Sequence, residues 1–70
     1  MNSETIREYT RRQPFEAFVM RLSNGDVHEV RHPECVLVTK TKVIVYDPEA
    51  DRTTQVALIH VNSVESLQAT

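Results

Sequence analysis

The stretch FEAFVMRLSNGDVHEVRH, residues 15–32, decides the fold of this chain. Two runs rich in apolar residues flank Asn24-Gly25, and Gly25 is the only glycine among 70 residues. Asn-Gly between such runs is a strong signal of a β-hairpin, because both residue types tolerate the positive φ angles of a tight primed turn. The stretch therefore predicts a small antiparallel β protein, with Asn24 and Gly25 at the turn.

The sequence leaves two registers of this hairpin open. A two-residue turn sets Met20 against Glu29, whereas a slip of one residue pairs Met20 with Val30 and Arg21 with Glu29. The slip requires a bulge or a three-residue loop, and it moves every side chain to the other face. We prefer the slipped register, because it joins apolar with apolar residues and arginine with glutamate.

Residues 3–12 predict one short helix ahead of the hairpin. Ser3 or Thr5 is the expected N-cap, and Thr5 with Glu8 has the spacing of a capping box. Glutamates lie early and arginines late in this segment, which suits the helix dipole. Pro14 ends the helix.

The rest of the chain reads as short strands. Pro33 cannot donate to a central ladder, so it marks an edge, a bulge or a sharp bend. The expected elements after it are strands at 35–39, 43–46 and 53–59, a tight helical turn at 60–63 and a closing strand at 64–67. The strand at 43–46 is apolar on both faces and is therefore expected to be central.

These elements define the predicted fold class, which is mainly β. We expect a single domain over residues 1–70, with a helix at about 3–12 and strands between about 16 and 67. The strands are expected to form one strongly bent antiparallel sheet of five or six strands. Closing that sheet into a small barrel would remove its exposed edges, and an open sheet with the helix across one face is the alternative.

The composition of the chain indicates its cellular compartment and the kinds of partner it can bind. The formal net charge is −2 and one cysteine is present, which fits a reducing cytoplasm and gives no general attraction to nucleic acid or membranes. Residues 1–12 are polar and lack the apolar core of a signal peptide. A chain of this length buries a small core, so we expect marginal stability as a monomer and a tendency to self-associate.

Three sequence segments resemble a group of short uncharacterised bacterial proteins. They are PFEAF at 14–18, LSNG at 22–25 and VRHPE at 30–34. The order of helix and strands also resembles the Sm-like fold in outline, and less specifically SH3-like barrels. This resemblance implies a bacterial origin and a small barrel, and it implies no activity. The stretch VLVTKTK at 36–42 lacks the acidic residue and the asparagine of the Sm-like RNA-binding signature.

A cluster of potential metal ligands follows the hairpin. Its members are His28, His32, Glu34 and Cys35, with His60 as a further candidate from the end of the chain. Four residues of extended chain span about 13 Å, so His28 and His32 cannot share an ion. Only His32 and Glu34 remain as candidates for a metal site, and we favour the interpretation that they are polar residues satisfying backbone groups at a bend. We expect no cofactor.

Basic residues support nucleic-acid binding as an alternative function. They are Arg7, Arg11 and Arg12 of the helix, with Lys40 and Lys42 between the third and fourth strands. The acidic overall charge opposes this reading, and the aromatic residues available for base stacking are few.

No catalytic residues are predicted, because the sequence has no phosphate-binding glycine loop and no nucleophile with a recognisable base. We therefore expect a non-catalytic binding or assembly module whose partner is another protein or a second copy. The expected contact surfaces are a sheet edge, the N-terminal helix and the strand at 64–67.

Overall fold

The computed structural model describes residues 1–67 of the chain. Its elements in order are α1 (Ser3–Thr10), β1 (Phe18–Leu22), β2 (Val27–Val30), a 3-10 helix (Pro33–Cys35), β3 (Val36–Val38), β4 (Lys42–Asp47), β5 (Arg52–Ala57), a second 3-10 helix (Leu58–His60) and β6 (Val61–Ser66). The predicted mainly β class, with one N-terminal helix and five or six strands, is confirmed.

The six strands form two antiparallel sheets rather than one bent sheet. One sheet has the order β2-β1-β6 and the other β3-β4-β5, so β4 is central as expected. Among residues 1–67 no strand pairing joins the two sheets, and no closed barrel is found. The separation begins at Pro33, where a 3-10 helix stands between β2 and β3 and no continuous strand bends from one sheet into the other.

A three-residue loop joins β1 to β2. The amide of Gly25 donates to the carbonyl of Leu22 at 3.0 Å, and the amide of Leu22 donates to the carbonyl of Asp26 at 2.9 Å. Gly25 has φ +91°, whereas Asn24 is not among the residues with positive φ. This is a type I turn followed by a glycine bulge, and it replaces the primed two-residue turn.

Both registers considered for the hairpin are wrong. The structure pairs Phe18 with Val30 and Met20 with His28. The three-residue loop lies at Ser23–Gly25 and closes between Leu22 and Asp26, so the strands are shifted by one residue from the two-residue turn, in the direction opposite to the slip that we preferred. Phe18, Met20 and Val30 still share the core face, because Phe18 and Met20 are two residues apart on β1 and Val30 lies opposite Phe18.

α1 is shorter than expected and has a different cap. The side chain of Asn2 accepts a hydrogen bond from the amide of Glu4 at 2.8 Å, so Asn2 and not Ser3 or Thr5 is the N-cap. The helix ends at Thr10. Ile6 is its one fully buried residue within the described chain, and it anchors the helix to the core.

The core lies between the two sheets and α1. Its fully buried members are Ile6 from α1, Phe18, Met20 and Val30 from the first sheet, and Val43 from the second. All the buried residues of the described chain are apolar.

The end of the fold differs from the prediction by a few residues. β5 ends at Ala57, the tight turn lies at Leu58–His60, and β6 begins at Val61 instead of residue 64. In this turn Leu58 is buried in the core and Ile59 is 82% exposed, and the carbonyl of His60 accepts from the amide of Ser23 at 2.8 Å. The N-terminal ammonium of Met1 donates to the carbonyl of Leu58 at 3.0 Å and holds this turn against the start of α1.

Candidate functional site

α1 covers one sheet edge from each sheet. The guanidinium Nη2 of Arg7 donates to the carbonyl of Val38 on β3 at 3.4 Å. Two residues later, the hydroxyl of Tyr9 donates to the carbonyl of Val64 on β6 at 3.3 Å. The helix therefore lies beside both strands and satisfies one outward-pointing carbonyl on each of these two edges.

The other two edges, those of β2 and β5, have no strand partner within residues 1–67. In an antiparallel pair, the backbone groups of alternate residues point toward the partner strand and those between them point away. The Leu22–Asp26 bond fixes this alternation on β2, so the amide and carbonyl of Val27 and Glu29 point outward.

The same argument applies to β5. The amide of Leu58 donates to the carbonyl of Thr41 at 2.8 Å, in register with the β4–β5 ladder. By alternation, the backbone groups of Thr53, Gln55 and Ala57 point away from β4. Their donors and acceptors are the free groups of this edge.

Two cavities lie along these free edges, and His28 lines both. The larger, of about 480 Å³, is bordered by Leu22 of β1 and by residues 54–57 of β5. The smaller, of about 360 Å³, is bordered by Val27 to Glu29 of β2 and by residues 45–49. We call the two together the β2–β5 groove.

Acidic side chains surround the β2–β5 groove. Asp26 borders the larger cavity, and Asp47 and Glu49 border the smaller one. The third carboxylate on the smaller cavity, that of Glu29, is neutralised by Arg31 at 2.7 Å. The groove therefore favours positively charged partners.

A hydrogen bond joins the smaller cavity to the β4–β5 loop. The hydroxyl of Tyr46 donates to Oδ1 of Asp51 at 3.1 Å. This bond is the main reason that the pKa of Tyr46 is raised above its ordinary value, with contributions from desolvation and from nearby Cys35 and Asp47. Asp51 has φ +51°, a backbone conformation that aspartate tolerates better than most residues.

The structure brings three residues of the predicted ligand cluster to one cavity. His28, His32 and Cys35 line the smaller cavity, whereas His60 lines the larger. His32 precedes the 3-10 helix that contains Glu34, and both side chains are exposed. Within residues 1–67 no group of three or more histidine, cysteine or acidic side chains could hold a metal ion.

Arg7 of α1 and Arg11 and Arg12, which follow the helix, each lie near a glutamate. Arg7 is 3.1 Å and Arg11 3.8 Å from carboxylate oxygens of Glu4, and Arg12 is 3.8 Å from one of Glu16. These contacts reduce the positive charge that α1 offers to a phosphate backbone.

Tyr9, the one aromatic residue that remained available for base stacking in the sequence, contacts both Phe18 and Arg12. Its ring centroid lies 5.4 Å from that of Phe18, and the guanidinium of Arg12 lies 4.2 Å from its own centroid. Lys40 and Lys42 are exposed and form no ion pair within the described part of the chain.

Two of the contact surfaces expected from the sequence, the N-terminal helix and the strand at 64–67, contact each other in the structure. Besides the Tyr9–Val64 bond, Arg12 donates to the hydroxyl of Ser66 at 3.0 Å. α1 and β6 therefore bind one another, and sequence reasoning missed β2 and β5 as the free edges. The alternation in TTQVA at 53–57 indicates a strand with one exposed face, but it does not identify an open edge.

Comparison of the chain with protein-family models, with curated proteins and with solved structures found no match in any of the three. None of the helices in residues 1–67 has the length and apolar character needed to cross a bilayer.

Proposed function

We propose that this chain is a non-catalytic binding module, which takes up an extended segment of a partner protein in the β2–β5 groove. The observation that carries the proposal is that two unpaired strand edges border one groove, while α1 occupies the other two edges. An extended segment placed there would add a strand to β5, to β2 or to both, a common mode of peptide recognition. We also propose that this added strand completes a small barrel of the Sm-like or SH3-like kind.

The free backbone groups supply affinity that does not depend on the sequence of the segment. Gln55 and its neighbours offer donors and acceptors every second residue on β5, and Val27 and Glu29 do so on β2. Each new backbone hydrogen bond contributes about 0.5–1.5 kcal/mol net, so several are needed for a stable complex.

The side chains around the groove supply selectivity. Leu22, Val56 and Ala57 give the larger cavity apolar wall surface. Asp26 borders the larger cavity, and Asp47, the last residue of β4, borders the smaller one. This arrangement favours a segment in which apolar residues alternate with lysine or arginine, because alternate side chains of a strand point to opposite faces.

A matched pair of substitutions at Gln55 tests the role of the β5 edge. Gln55→Pro removes the outward amide without removing a β4–β5 ladder bond, whereas Gln55→Thr retains that amide. The probe is a seven-residue peptide of alternating lysine and valine, and binding is followed by amide chemical shifts. We expect shifts concentrated in β2 and β5, with binding about tenfold weaker for Gln55→Pro and unchanged for Gln55→Thr.

Two results would overturn the proposal. One is equal binding by both variants, and the other is a set of shifts centred on α1 and β3. A peptide of alternating glutamate and valine is the charge control, and it is expected to bind more weakly than the lysine peptide. Circular dichroism of each variant verifies that the fold is retained.

Nucleic-acid binding through Arg7, Arg11, Arg12, Lys40 and Lys42 is the alternative. The glutamates beside the arginines and the engagement of Tyr9 weigh against it. Fluorescence polarisation with a labelled single-stranded oligonucleotide separates the two functions. Phosphate contacts predict an affinity that falls steeply with salt, and an uptake of extended segments predicts no oligonucleotide binding at physiological salt.

A further inference from the structure

The outer face of the β3-β4-β5 sheet, opposite the core, is an uncovered surface with an apolar centre. Leu37, Ile44 and Gln55 form one row across the three strands, as the strand register places them side by side. Leu37 is 60% exposed, Ile44 is half-buried, and Tyr46 is 37% exposed one step further along β4. We call Leu37, Lys42, Ile44, Tyr46 and Gln55 the outer face.

We propose that the outer face binds the same face of a second copy of this chain, in a two-fold dimer with antiparallel strands. The axis lies in the interface, runs across the strands and passes over Leu37, Ile44 and Gln55. Each of these residues then meets its own counterpart, and the apolar centre is buried in both copies.

Charge selects this orientation. Lys42 lies at one end of β4, and at the other end Tyr46 binds the carboxylate of Asp51. An axis across the strands places Lys42 of each copy over Tyr46 and Asp51 of the other. An axis along the strands would instead bring the two lysine ends together and the two acidic ends together, which costs energy.

The neighbouring charges reinforce the same choice. Lys40 stands beside Lys42 in the β3–β4 turn, and Asp47, at the end of β4, lies near Glu49 and Asp51 of the β4–β5 loop. All five side chains are exposed, and none forms an ion pair within residues 1–67. Two ends of opposite sign on one sheet make the surface complementary to itself.

The size of the face sets the strength of the dimer. β4 and β5 have six residues each and β3 has three, so at a strand spacing of about 4.8 Å the footprint is roughly 240 Å² per copy. This is small for a specific interface, so we expect dissociation in the range of hundreds of micromolar rather than a permanent dimer.

Sedimentation equilibrium of the full chain at up to about 1 mM tests the proposal. Leu37→Glu places two carboxylates against each other at the axis, and Val27→Glu is the matched control at an exposed apolar residue of the other sheet. We expect Leu37→Glu to weaken the dimer more than tenfold and Val27→Glu to leave it unchanged. Lys42→Glu opposes Asp51 of the second copy, and we expect it to weaken the dimer about tenfold.

The orientation is tested separately by disulfide trapping. In a Cys35→Ser background, Leu37→Cys lies on the proposed axis and is expected to form a dimer with itself in a glutathione redox buffer. Val27→Cys in the same background is the control. A monomeric wild type at 1 mM would overturn the proposal. So would an undisturbed dimer in Leu37→Glu, or trapping of Leu37→Cys no faster than that of Val27→Cys.

Discussion

Replacing Gly25 with L-alanine and with D-alanine tests the hairpin that positions β2, one wall of the β2–β5 groove. Gly25 has φ +91°, which L-residues rarely adopt and D-residues favour. A Cβ atom built on Gly25 would meet no other atom within 4 Å. The L-alanine substitution therefore reports backbone strain without a steric clash.

The expected magnitudes follow from two opposing effects. Holding an L-residue at positive φ costs about 1–2 kcal/mol. Either alanine also lowers the conformational entropy of the unfolded chain, which raises the free energy of unfolding by about 0.4–1 kcal/mol. We expect L-alanine to lower the free energy of unfolding by about 1 kcal/mol, and D-alanine to raise it by about 0.5 kcal/mol. For a domain of this size, 1 kcal/mol corresponds to a change in Tm of about 4–8 °C.

The assay is thermal and urea denaturation of the three chains, prepared by chemical synthesis and followed by far-ultraviolet circular dichroism. The two alanine chains share composition and differ only in the chirality of one residue. An L-alanine chain as stable as the glycine chain would refute the positive φ. Equal destabilisation by both alanines would refute the strain argument and point to another requirement for glycine at this turn.

Three further predictions concern the core, the helix contact and the acidic loop. Ile6→Ala, at a residue with no exposed surface, is expected to lower the free energy of unfolding by about 2–5 kcal/mol in urea denaturation, and a loss under 1 kcal/mol would contradict the docking of α1. Tyr9→Phe keeps the ring but removes the bond to Val64, so we expect a loss of about 0.5–1.5 kcal/mol; an unchanged urea midpoint would contradict that bond. Because the pKa of Tyr46 is raised in the folded chain, stability is expected to fall as pH rises above 10, the ordinary tyrosine value, and Asp51→Asn should lower that pKa in a spectrophotometric titration; an unchanged titration would exclude Asp51 as its cause.

The sequence predicts the β class and the position of the hairpin because both depend on local features. Alternating apolar residues and Asn24-Gly25 are visible in a short window. The register depends on the turn conformation, since positive φ at both Asn24 and Gly25 gives a primed turn, whereas positive φ at Gly25 without Asn24 accompanies the observed three-residue loop. Asparagine is compatible with both, so residue types alone do not decide between them.

The free edges could not be predicted because they are determined by contacts between distant residues. Arg7 reaches Val38, 31 positions along the chain, and Tyr9 reaches Val64, 55 positions away. A basic and an aromatic residue on a short helix suggested a surface for partners. In the structure they cover β3 and β6, which leaves β2 and β5 as the edges open to a partner.

The two proposed contacts meet at Tyr46 and Gln55, which line the groove and belong to the outer face, and otherwise use different surfaces. The groove uses the free edge of β5, whereas the dimer uses the outer face of the same sheet. An axis across the strands lays β5 of one copy over β5 of the other, so both grooves open on the same side of the dimer and run in opposite directions. A partner with two suitable segments would then bind both copies, and the second contact would be effectively intramolecular. Such a partner would stabilise a dimer that is weak alone, and Leu37→Glu would reduce its avidity while leaving the binding of a single segment unchanged.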